Sequence, residues 1–146
     1  MSIKTLCDSA VSFASNRKDE VLLLIRLTIV PIFIQTGLGK FTHFSDTVGF
    51  FASLGLPFPV INAAMACTTE LVGGLLLVLG LATRLVSLPL AFVMVIAIAT
   101  AKWSMVTGYS DFIRLQEWDY LVIFLMFAVT GAGKWSLDSL FCKNKK

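Results

Sequence analysis

Charge is what this chain has least of. Asp, Glu, Lys and Arg make up 14% of its 146 residues, where soluble domains carry about 25%. A water-facing surface needs more polar cover than that, so a soluble fold of this length is excluded and a lipid-facing one indicated. Histidine occurs once, as His43, which leaves no histidine pair to hold a haem. The three cysteines, Cys7, Cys67 and Cys142, stand far apart with no CxxC, so neither a thioredoxin-like dithiol nor a structural zinc site is expected. There is no nucleophile–base arrangement, phosphate loop, nucleotide fingerprint or flavin motif. Gly37-Leu38-Gly39 follows no strand and is not continued as GxGxxG, so it reads as a packing feature. Internal repeats and low-complexity segments are also missing.

What is present is apolar. Hydrophobic residues are 57% of the chain and the mean hydropathy is +0.85. Four runs account for most of it: about 21–41, 60–81, 85–103 and 112–133. Each of the first three approaches the ~20 residues that cross a bilayer as a helix. In the fourth, the clean apolar stretch from Leu121 to Gly133 is only 13 residues, or ~20 Å of helix against a ~30 Å hydrocarbon core. That helix is therefore expected to begin near Phe112, capped by Ser110 or Asp111, drawing Glu117 and Asp119 into the outer membrane layer. The reading is an all-α, integral membrane, antiparallel four-helix bundle forming one domain over residues 1–146.

Basic residues orient it. Lys4, Arg17, Lys18, Arg84, Lys134, Lys143, Lys145 and Lys146 fall on one side of a four-span model, and Lys40, Lys102 and Arg114 on the other. Eight against three places both termini in the cytoplasm and the chain in the plasma (inner) membrane as a multi-pass protein. Trp103, Tyr109 and Trp118 then mark the outer interface and Trp135 the inner one. Topology accounts for the net charge of +3, and no nucleic-acid partner is called for. The first apolar run is too long for a signal-peptide core and is expected to stay as a span. Residues 1–16 repeat apolar positions at Ile3, Leu6, Ala10 and Phe13, so this segment either lies flat on the inner surface or frays. Residues 139–146 form a cytoplasmic tail. The outer loop from Phe41 to Pro59 carries a short amphipathic helix, capped by Ser45 or Asp46 and ended by Gly55. Its phenylalanines make it either a lid on the bundle's outer mouth or a plain interfacial anchor.

Polar residues inside the apolar runs are the site candidates, because a charge at a span centre costs about 2.5–3.5 kcal/mol on insertion scales. Glu70 sits near the middle of the second run, with Gly73 and Gly74 one turn on and Cys67 one turn back. Arg26 lies in the first run on a stripe with Val30, Phe33, Gly37 and Lys40. An Arg26–Glu70 pair needs an axial offset of about 7 Å. That pair is either a fixture of helix register or part of a polar site. At the outer mouth, Lys40, His43, Lys102, Glu117 and Asp119 gather at one depth, as snorkelling side chains, a salt-bridge network or a shallow ligand site. Met65, Cys67 and His43 are soft or borderline metal ligands, but their spacing matches no site, so no metal ligands are assigned. Gln35 lies on the opposite face of the first run from Arg26 and could meet another subunit. Close helix contacts are expected at Gly37, Gly73, Gly74, Ala97 and Ala101.

Several segments, in order, resemble the DoxX family: Arg26-Leu27 through Gly37-Leu38-Gly39-Lys40-Phe41; Phe50-Phe51-Ala52-Ser53-Leu54-Gly55-Leu56-Pro57; Glu70-Leu71-Val72-Gly73-Gly74 followed by Leu79-Gly80-Leu81-Ala82-Thr83-Arg84; and Gly131-Ala132-Gly133-Lys134-Trp135-Ser136-Leu137-Asp138. The resemblance runs from about Arg26 to Leu140. It departs at Gln35, where many members carry histidine, which puts in doubt any role that needs an imidazole there. Pro89 to Met94 and Thr100 to Trp103 look most like a subgroup that accompanies operons for copper-binding modified peptides. The resemblance implies a redox-associated four-helix membrane bundle. Its family polar positions fall on Arg26, Lys40, Glu70, Arg84 and Glu117. It implies an accessory or scaffold protein docking redox or metal-peptide maturation partners, without independent catalysis. Two alternatives stand beside this: a quinone-interacting small subunit of a membrane oxidoreductase, and a proton or small-solute conduit. Quinone is the cofactor such a chain could take, copper is not expected as its own, and a homo-oligomer is compatible with its size.

Overall fold

A computed structural model describes residues 3–142. Lys143, Lys145 and Lys146, and with them the last four residues of the expected tail, lie outside the described residues. Helices follow in the order α1 (Ile3–Thr42), α2 (Phe44–Ser53), α3 (Pro59–Leu79), α4 (Thr83–Ala97), α5 (Tyr109–Ile113), α6 (Gln116–Thr130) and α7 (Leu137–Cys142). Beyond α4 the chain continues as a π-turn at Ile98–Lys102 and a 3-10 turn at Trp103–Met105. No strand occurs among the described residues. The chain is all-α.

The long helices pair because each presents one stripe of buried positions. On α1 this is Leu22, Arg26, Ile29, Val30, Phe33 and Gly37; on α3, Ala63, Ala66, Cys67, Glu70, Gly73, Gly74 and Leu77; on α4, Thr83, Ser87, Leu90, Ala91, Met94 and then Ile98. These positions recur every three or four residues, the period of one helical face. The opposite faces carry Leu24, Leu27, Leu85, Leu88 and Val129, all exposed. Lipid is as apolar as leucine, so helix association in a bilayer rests on close packing rather than on hiding these side chains. Gly37 shows this: a Cβ there would stand 2.9 Å from the Leu71 backbone nitrogen, so only glycine lets α1 and α3 come this near. At the centre, Phe33 meets Tyr120 and Phe124 of α6 edge-on, with ring centroids 4.9 Å apart in both cases. Such pairs contribute about 0.5–1.5 kcal/mol each beyond burial.

Three segments are long and apolar enough to cross a membrane: Ser15–Thr42, Pro59–Leu79 and Thr83–Met105. The fourth packed helix differs from expectation. Rather than one helix from Phe112, the chain forms α5, breaks at Arg114–Leu115, and restarts as α6 at Gln116. Leu115 is extended, with ψ 124°. Neither Ser110 nor Asp111 caps that restart; Asp111 lies within α5 and accepts hydrogen bonds from the Thr107 amide and hydroxyl. α6 has 15 residues, about 22 Å of helix. The described part of the N-terminal segment is helical and continuous with the first span. α1 has 40 residues, about 60 Å, roughly twice the hydrocarbon thickness.

The C-terminal segment is stitched to the far end of α1 and α3. The Asp19 carboxylate accepts from the Lys134 amide at 3.0 Å. The Arg26 guanidinium, fully buried, donates to the Val78 carbonyl at 3.3 Å and to the Trp135 carbonyl. Asp138 accepts from the Ala82 and Thr83 amides at 2.7 and 3.0 Å, capping the start of α4 from a distant part of the chain. Gly80, at φ +65°, lets the α3–α4 turn fit beneath Arg26 and Ser136, where a Cβ would collide with both.

Candidate functional site

At the opposite end of the bundle, α1, α3, α4 and α6 splay apart around a cavity of about 820 Å³. Pockets of this size take small organic ligands. Its upper wall is α2, which brings Asp46, Thr47, Phe50 and Phe51 over the opening, with Leu56 and Pro57 behind. The phenylalanine-rich loop thus contributes part of the cavity wall. Its helix ends as expected: Gly55 takes φ +72° while its amide and that of Leu56 bond back to Ala52 and Phe51. Its start does not, because His43 precedes the first turn and no side chain caps it.

Two ion pairs stand in the wall. Lys40, at the end of α1, donates to Glu70 of α3. Glu70 is 2% exposed and the Lys40 side chain 33%. Across the cavity, Lys102 of the π-turn lies 3.4 Å from Glu117 in the first turn of α6. The π-turn widens the end of α4 by one residue and faces Thr100, Ala101 and Lys102 toward the cavity. Such bulges recur at functional sites. The remaining lining is mostly apolar, from Ile32, Phe33, Phe92, Val93 and Met94, with Thr36, Asn62, Thr69, Gln116 and Tyr120 interspersed.

The expected Arg26–Glu70 pair does not form, and helix register explains why. Gly37 packs on Glu70 and Leu71, Gly74 on Phe33 and Ile34, and Gly80 on Arg26. Arg26 therefore sits eleven residues from the level of Glu70, about 16 Å along α1, too far for contact. Lys40, one turn past Gly37, takes its place. Of the other candidates, Lys40, Glu70, Lys102 and Glu117 converge on the cavity. Arg26 locks the other end. His43 is exposed and bonds back to the Gly39 carbonyl and Thr42 hydroxyl, and Asp119 is exposed on α6. Gln35 is exposed on the far face of α1. Gly37, Gly73 and Gly74 make close contacts, whereas Ala97 and Ala101 line the cavity.

One feature of the site has no sequence signal. Glu70 keeps its second oxygen buried without a hydrogen-bond partner. A buried carboxylate oxygen left unsatisfied is costly, and the cavity beside it is where a ligand donor could reach it. Two others could have been read more fully: Tyr120 and Gln116 line the cavity and bond to each other at 2.5 Å, at the i, i+4 spacing of one helix face.

Comparison with known proteins identifies the family. The DoxX family model matches residues 21–103. A Bacillus subtilis protein named "Putative oxidoreductase CatD" is 36% identical over 134 residues, covering 90% of this chain and 95% of the relative. "Inner membrane protein YphA" of Escherichia coli is 35% identical over 127 residues, covering 81% and 88%. "Inner membrane protein YqjF" of the same organism is 26% identical over 132 residues, covering 90% and 98%. No solved structure matches. The chain belongs to the DoxX family and is a membrane protein.

Proposed function

We propose that this protein is an accessory subunit of a membrane redox system that holds a quinone-type head group in the lidded cavity. The observation that carries this reading is Glu70, buried at the wall of an apolar cavity with one oxygen held by Lys40 and the other unpartnered. The Lys40 ammonium is a donor for a carbonyl oxygen, the free Glu70 oxygen an acceptor for a hydroxyl, and Phe33, Phe50 and Phe92 flank an aromatic ring. A quinone supplies two-electron chemistry when bound. This chain's own residues bind and orient the head group, exclude water under α2, and offer a proton acceptor at Glu70. Electrons come from a partner protein. The name of the Bacillus relative, which describes an oxidoreductase, supports this class of role.

In this reading α6 makes a fourth crossing, both termini lie in the cytoplasm, and the cavity opens toward the outer leaflet. A docking role also has its own observation. α1 runs well past the packed bundle, where Val11 and Phe13 are each 66% exposed. That extension supports a scaffold for redox or metal-peptide maturation proteins.

The test is equilibrium binding of a short-tailed benzoquinone and of its reduced hydroquinone to the purified protein in nanodiscs. Saturable binding is expected: the hydroquinone at least about tenfold weaker in Glu70→Gln, which loses the carboxylate that accepts from its hydroxyl, and the quinone at least about tenfold weaker in Lys40→Met, which loses the ammonium that donates to its carbonyl. Equal affinity in all three proteins would discard the site assignment.

A further inference from the structure

A second, smaller crevice opens on the flank of the bundle between α3 and α4. It measures about 240 Å³ and is lined by Thr68, Thr69, Val72, Gly73, Leu76, Val86 and Pro89. Thr69 and Pro89 also line the main cavity, so the two spaces share a wall at one level. From Thr69 the crevice follows α3 to Leu76, seven residues or about 10 Å deeper along the bundle. Its sides have few polar groups, and Val72 is 48% exposed on the surface beside it. Gly73 lets α3 and α4 pack closely beside it: a Cβ there would stand 3.1 Å from the Leu90 side chain. Pro89 lines both spaces. A proline inside α4 has no amide to donate and breaks one turn of the helix ladder, at the level where the crevice meets the cavity.

We infer that this crevice is the seat of the ligand's apolar tail, so that the site takes a long-tailed isoprenoid amphiphile that enters sideways from the bilayer. The inference rests on the quinone reading of the cavity and goes beyond it, naming the tail as a recognised part of the ligand. Head and tail have separate places. The head group lies against Lys40 and Glu70, and the tail passes between Thr69 and Pro89 and lies along Val72, Leu76 and Val86. A ligand entering this way never leaves the hydrocarbon layer, and the lid α2 need not open to admit it.

The experiment compares a short-tailed and a long-tailed quinone on the same protein in nanodiscs, wild type against Val72→Trp. Val72 faces outward, and an indole there reaches over the crevice without entering the core. Long-tail affinity is expected to fall about fivefold in the variant, because the tail loses close packing against the groove rather than cover from water, while short-tail affinity changes less than about twofold. Equal loss for both ligands, or no loss for either, overturns the tail seat and leaves the head-group reading standing. Failure of wild type to bind either quinone removes both. A wild-type measurement guards against misfolding of the variant: a quinone with a photoreactive group on its tail is expected to label the segments 68–76 and 86–89. Labelling spread over the lipid-facing surfaces of α1 and α6 contradicts the assignment.

Discussion

The ammonium of Lys40 donates to one oxygen of Glu70 across the α1–α3 contact, and the other oxygen of that carboxylate is buried with nothing to bond. The first half of this relationship ties the two helices together, and the second half is what the proposed head-group site rests on. Both follow from register. Gly37 brings α1 against α3 at the level of Glu70, and the next turn delivers a lysine that is buried enough to pair and open enough to reach the cavity.

Removing Lys40 alone leaves a buried charge unpaired. Breaking a fully buried pair costs about 3–5 kcal/mol; with Lys40 one-third exposed, Lys40→Met is expected to cost about 2 kcal/mol. Adding Glu70→Leu to that variant recovers most of the loss. Unfolding in detergent, followed by circular dichroism for the two single variants and the double one, gives the coupling. Additive losses would mean that the pair does not exist.

The close contact at Gly37 is steric. A Cβ 2.9 Å from the backbone of Leu71 cannot be relieved by a rotamer change, so Gly37→Ala forces the helices apart at a cost of about 1–3 kcal/mol. Gly39→Ala, two residues on with open space around it, is the matched control and is expected to be neutral or slightly stabilising. Equal thermal shifts in both variants would remove the packing argument.

Asp138 holds two amides at the start of α4 from 55 residues away. Asp138→Ala is expected to cost about 0.5–2 kcal/mol, as for loss of a helix cap. It should also speed amide exchange at Ala82 and Thr83, leaving the cavity end unchanged. Unaltered exchange at those two amides would contradict the capping role.

The Asp111 carboxyl lies below its ordinary value, chiefly because the Thr107 hydroxyl donates to it and secondly because the Thr107 amide does. A depressed folded value means that the local stabilisation is complete above the unfolded value and fades as pH falls through the folded one. The Thr107 amide resonance is therefore expected to titrate with a midpoint below that of an ordinary aspartate, and not to titrate in this range in Asp111→Asn. A midpoint at or above the ordinary value would disprove the hydrogen-bonded turn.

The helical fold was legible because composition and apolar run length are bulk properties. So was the apolar character of the outer loop, since five phenylalanines between Phe41 and Phe58 cannot sit in water, whereas lid and interfacial anchor carry the same signal. The pairing of Glu70 was not. Arg26 and Lys40 lie on the same stripe of α1, and choosing between them needs the axial register to within two turns. That register is set by where Gly37, Gly74 and Gly80 find room, which is a property of two helices together. The break at Leu115 was also hidden. Helix continuity across Phe112–Gln116 satisfied the span length, while the chain instead spends those residues turning α5 onto α6, with the Phe112 ring tilted against Trp118 at 4.8 Å between centroids.

Native mass spectrometry of the protein extracted gently from its own membrane tests the central claim most directly, because it reports bound mass without a chosen probe. The account predicts a retained species of quinone mass on the wild-type protein, lost in Glu70→Gln. A wild-type protein that carries no such mass, or a Glu70→Gln variant that retains it in full, would contradict it.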